Sequence, residues 1–160
     1  MSSVLSNLRD GNEEFSRQLE KLRAISPNYA TESLETSFNW DEIAAEINDV
    51  EGEWYIVAFR SILRTDADNK LLYEADAKAH NEAILHGGLL KYWVGEPNQY
   101  RECLSFCIWT NRNISIKATQ NHRHTDAKRL ADTMYETYSL ERYMLKKTKG
   151  KTKININRVF

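Results

Sequence analysis

Residues 80–95 read HNEAILHGGLLKYWVG. The stretch runs from the end of a helical pattern, through two glycines, into a short apolar and aromatic run. Working backwards, Leu71, Leu72, Ala75, Ala79, Ala83 and Ile84 recur at helical spacing, which predicts a helix over about 67–86 with an apolar face of small side chains. Gly87 and Gly88 can take the left-handed conformation cheaply and stop it. His86 then sits at the helix C-terminus, where the dipole favours an imidazolium and makes a cap its simplest role. Working forwards, LLKYWVG reads as a strand, EPNQYR as a turn segment and CLSFCIW as a second strand close enough for a hairpin.

The flanks complete the pattern. WYIVAFRSIL (54–63), aromatic and β-branched, is a first, largely buried strand. TNRNISIKATQNHRH is ambiguous. Beyond it Ala127, Leu130, Ala131, Met134 and Tyr138 share one helical face, with Thr125 as a possible N-cap. YSLERYMLKK (138–147) alternates as a strand, with Leu140, Arg142 and Met144 on one face and Glu141, Tyr143 and Leu145 on the other. ININRVF can add an edge strand. The order strand, helix, strand, strand, helix, strand is the split βαβ pattern of an α+β, ferredoxin-like antiparallel sheet with helices over one face. Tyr55, Phe59, Tyr92, Trp93, Phe106 and Trp109 are too many rings for one side of it, so the open face needs a cover: a second copy, a ligand or the preceding residues.

Residues 1–50 form an N-terminal helical extension. Leu5, Leu8, Phe15, Leu19, Leu22 and Ile25 suggest an interrupted amphipathic helix, broken near Gly11 and stopped before Pro27. A second short helix should start at Asn39, with Glu42 as a capping-box partner. Its stripe of Ile43 and Ile47, with Trp40, is too thin to stand alone and should dock on the domain. The expected division is 1–50 extension, 51–148 ferredoxin-like domain and 149–160 basic tail or edge strand.

Composition narrows the function classes. The 160 residues are 41% hydrophobic and 28% charged, as in a folded domain rather than a disordered chain. Residues 1–50 carry 4 basic and 10 acidic groups, whereas residues 111–160 carry 12 and 4, a complementarity that favours docking between the two ends. No apolar run reaches membrane-span length and the start lacks a secretory signal pattern, so no membrane partner is expected. Cys103 and Cys107, four apart in one strand, fit neither a disulfide nor a zinc spacing and read as free thiols of a reducing compartment. No phosphate loop, dinucleotide fingerprint, nucleophile elbow or metalloprotease signature is present, and no cofactor or metal is expected.

The segments WYIVAFRS, YEADAKAHNEAILHGGLLKYWVG, CIW and YETYSLERYMLKK resemble a family of small uncharacterised fungal proteins over roughly residues 50–147. The resemblance implies a cytoplasmic protein, or one that is also nuclear. The shape is also similar to the dimeric α+β barrel proteins, which include small monooxygenases, haem-degrading enzymes and proteins without known catalysis. From the family, His124 matches a histidine opening the last helix and His80 one in the first helix.

The candidate ligand-binding residues are Lys91, Tyr92, Trp93, Arg142, His80 and His124. His80 could be oriented by Asp76, four residues earlier. Lys91 and Trp93 share a strand face with Leu89 and could line a pocket for a small aromatic or acidic molecule. Arg142, charged on a central strand, needs a carboxylate or a bound anion. Arg123, His124 and the helix start that follows them could hold an anion. The main expectation is a small-molecule-binding or interaction module that uses the open sheet face, with a homodimer through that face. One alternative is a small monooxygenase-like enzyme. The other is a single-stranded RNA-binding module, against which CLSFCIW lacks the basic–glycine–aromatic stretch.

Overall fold

A computed structural model describes residues 11–119, 129 and 133–159. Residues 11–18 are helical (α1) and pass into a 3-10 turn, Leu19–Lys21; two short helices follow, Leu34–Ser37 (α2) and Trp40–Glu46 (α3). Then come β1 (Gly52–Leu63), α4 (Asn69–His86), β2 (Leu89–Val94), β3 (Glu102–Trp109), α5 (Arg112–Thr119), β4 (Tyr135–Lys147) and β5 (Ile154–Arg158). Among the described residues the five strands form one sheet in the order β2-β3-β1-β4-β5, every neighbouring pair antiparallel. This is the expected split βαβ arrangement with ININR added at the β4 edge.

The helix stop falls where the glycines place it. Gly87 and Gly88 have φ of +90° and +83°, and a side chain at Gly88 would meet Ile114 Cγ2 at 2.3 Å. Three local expectations change. Helix α5 begins directly after β3, in the ambiguous stretch, because the Asn111 side chain accepts from the Ile114 amide at 2.9 Å and opens it. Residues 133–134 are helical and β4 begins at Tyr135; Tyr138, assigned by spacing to a helical face, lies in β4, because β1 offers a ladder up to Leu63 that recruits the chain from Tyr135. Leu71, Ile84 and Ile25 are exposed and do not belong to the apolar faces read for them.

Residues 11–50 cover the sheet face opposite α4 and α5. Phe15, Leu19, Leu34, Phe38, Trp40, Ile43 and Ile47 share one core with Trp54, Ile56, Ala58, Phe106 and Leu145, and the expected docking stripe is buried. Asn39 is no simple cap. Its side chain accepts from the Arg23 amide and donates to the Lys21 carbonyl and to Glu42, stitching the extension to itself. Two cations fasten it to the sheet. Lys147, fully buried, donates to the carbonyls of Asn48, Val50 and Thr148, and Arg60 donates to those of Tyr29, Ala30 and Glu32. A second copy meeting this face would have to displace these residues, and bases stacking on it would meet a filled surface.

Candidate functional site

The candidate residues that converge do so on the helix side of the sheet. Asp76 and His80 stand four apart on α4 and so share one helix face. Tyr92 on β2 reaches both. Its hydroxyl donates to Asp76 Oδ2 at 2.5 Å, and its ring meets the His80 ring edge-on, with centroids 4.7 Å apart. Asp76 therefore takes its bond from Tyr92; the expected orientation of His80 by Asp76 is replaced by contact of each with the same tyrosine. Below them Tyr92 pairs in register with Cys107 of β3. Further along the face Phe59 packs against Tyr135 and Tyr138, with centroids at 5.1 and 5.4 Å.

The electrostatics of this layer centre on Asp76. Burial first, then the Asp76 charge and bond, raise the Tyr92 phenol far above its ordinary value, so it stays a proton donor. Burial pushes the Cys107 thiol up to about 12 and the Cys103 thiol up to about 11, and Asp76 adds to both. Tyr135 rises by burial, with Cys103 and Asp76 contributing. Asp76 thus faces neutral thiols and phenols, and Glu96 adds to the rise at Cys103. Neither cysteine is a reactive thiolate, and Cys103 donates to the Gly95 carbonyl.

The other candidates separate. Trp93 lies on the extension-covered face, edge-on to Tyr29 and Phe38 and stacked on Phe106, so it is core rather than pocket lining. A register shift between Leu89 and Lys91 breaks the face read for them. Leu89 packs towards Trp109 and Tyr55 beneath α5, while Lys91 and Trp93 pair with Ile108 and Phe106. Arg142 pairs with Val57 on the helix side of the sheet. The neighbouring Glu141 faces the other way, bonded to Arg60 at 2.9 Å, Tyr143 at 2.7 Å and Arg158 at 3.6 Å. His122, Arg123, His124 and Thr125 lie outside the described residues. Asp76 entered the sequence reading only as a companion of His80; its four-residue spacing was the available signal. A shallow depression lined by Asn12, Ser16, Arg17, Glu20 and Leu90 lies on the extension side, away from Asp76, His80 and Tyr92. Among the described residues no His, Cys, Asp or Glu group is arranged to hold a metal ion, and no helix is long and apolar enough to cross a membrane.

A family model described as PB2B2.08-like matches residues 2–158. The UPF0643 protein PB2B2.08 of Schizosaccharomyces pombe is 32% identical over 102 residues, which are 60% of this chain and 46% of that protein; the chain thus spans about half the length of this curated relative. Among solved structures, protein SO0527 of Shewanella oneidensis has a TM-score of 0.52 at 9% identity, over 60% of this chain and 94% of that one. A candidate antibiotic biosynthesis monooxygenase of Nitrosomonas europaea has a TM-score of 0.50 at 13% identity, over 57% and 89%. A candidate monooxygenase of Lactobacillus acidophilus has a TM-score of 0.50 at 12% identity, over 65% and 50%. At such identities the likeness is one of fold.

Proposed function

The chain belongs to the PB2B2.08-like family, and from the geometry beneath α4 we propose that it binds a small phenolic molecule there and oxidises it as a small monooxygenase without a cofactor. The observation that carries this reading is the Asp76–Tyr92 hydrogen bond with the His80 ring beside it, above the neutral Cys107 thiol. The names of the Nitrosomonas and Lactobacillus proteins support it by fold analogy alone.

The chemistry needs few specialised residues. Asp76 acts as the base that takes a proton from a phenol or its tautomer; once protonated it releases the Tyr92 hydroxyl, which turns to donate its one proton to the oxygen on which charge develops. The electron-rich anion reacts with dioxygen. For an anthrone, the ring methylene becomes a carbonyl, one oxygen atom of O2 is retained and the other leaves as water; the substrate supplies the electrons. All the residues of this reading come from one chain. The free thiols fit a reducing compartment, the cytoplasm or nucleus.

Oxygen uptake with 1,8-dihydroxyanthrone tests it. The protein should accelerate uptake over the buffer rate, Asp76→Asn should lower that acceleration by about 10²–10⁴, and Tyr92→Phe should lower it less. No acceleration, with no rise in melting temperature on adding the phenol, would reject the reading.

A further inference from the structure

We infer that Arg142 is a second anchor of the same site, and that the ligand is an elongated aromatic molecule with a phenol at one end and a carboxylate at the other. The inference rests on the reading just proposed and adds the substrate class to it. Its basis is a single cross-strand row. Tyr92 on β2 pairs with Cys107 on β3, Cys107 with Val57 on β1, and Val57 with Arg142 on β4. Residues directly opposite one another in a sheet project from the same face. Tyr92 and Arg142 therefore end one row on the helix side, three inter-strand spacings apart, or about 14 Å between backbones. The two residues between them are a neutral thiol and a valine, both half-buried, which make an apolar floor.

The two ends differ in charge. At the β2 end Asp76 accepts a proton-bearing group. At the β4 end Arg142 is half-buried, and among the described residues its guanidinium has no ion pair or side-chain hydrogen bond. The nearest carboxylate in sequence, Glu141, is on the opposite face and is taken up by Arg60, Tyr143 and Arg158. A half-buried guanidinium with a rigid fork of donors and no carboxylate partner among the described residues is suited to a planar, bidentate anion. A carboxylate or phenolate at the Asp76 end would be repelled. The polarity of the row thus orients a hydroxy acid one way only.

Calorimetric titration of the full chain with 2-naphthol, 2-naphthoate and 6-hydroxy-2-naphthoate tests this. The hydroxy acid should bind at least tenfold tighter than 2-naphthol. Arg142→Gln should collapse that ratio towards one, Arg142→Lys should keep part of it, and Asp76→Asn should weaken both phenols. Equal affinity of 2-naphthol and the hydroxy acid, or a ratio unmoved by Arg142→Gln, overturns the second anchor while leaving the phenol site standing. If neither phenol binds, the inference and the reading beneath it both fall.

Discussion

The ring of Phe38 stands edge-on to the indole of Trp93, with centroids 4.7 Å apart and planes at 88°. Phe38 meets Phe106 in the same way at 5.1 Å, and it is 2% exposed. It is the point where the extension plugs the sheet. Phe38→Ala should cost about 3–5 kcal/mol, from lost transfer energy and the cavity left behind. Urea unfolding measures it, and the Trp93 environment should become more polar in fluorescence. A cost below about 1 kcal/mol would mean that the extension covers the face without holding it.

The two glycines after α4 should respond differently to alanine. At Gly87 nothing lies within 4 Å of an added Cβ, so only the left-handed backbone, at about 1–2 kcal/mol, is felt. At Gly88 the same backbone penalty is joined by a Cβ 2.3 Å from Ile114 Cγ2, which moves α5 or the turn. Gly88→Ala should therefore lower the melting temperature more than Gly87→Ala. The reverse order would show that α5 yields freely at this contact.

Glu141 makes stability depend on acid. Burial pushes its carboxyl up, but the bonds from Tyr143 and Arg60 outweigh burial and hold it below its ordinary 4.5. A carboxyl lowered on folding contributes stability that is present above the unfolded value and lost as pH falls through the folded one. Glu141→Gln should lower stability at pH 7 and flatten its fall below pH 4.5. Denaturant midpoints between pH 3 and 7 decide it; parallel profiles for the two proteins would exclude the linkage.

The thiols should be silent in the native state. With Cys107 raised to about 12 and Cys103 to about 11, chiefly by burial, little thiolate exists at pH 8. A disulfide reagent should label neither cysteine rapidly until urea is added, and both thereafter. Fast labelling of either in the folded protein would mean that burial does not hold that thiol protonated.

The order of the elements was legible because its signals are local. A glycine pair ends α4, short apolar and aromatic runs mark β1 to β3, and Ile43 and Ile47 with Trp40 mark a helix that cannot stand alone. The spacing of Asp76 and His80 already put them on one helix face. Where two local patterns competed, distant partners chose between them. Tyr138 continues a helical spacing, yet β1 has the backbone groups to pair it as strand.

What only the tertiary structure decided follows from strand order and register, which no local pattern carries. Leu89 and Trp93 read as sharing a face, and a register shift separates them. The surplus aromatics called for a cover without naming it; residues 11–50 supply it because they are tethered to the same chain and bury an apolar stripe of their own. Tyr92 and Arg142 are 50 residues apart in the chain, and nothing near either one relates them. They fall in one row because β3 and β1 lie between their strands, a consequence of long-range pairing that becomes favourable only once the whole sheet has assembled.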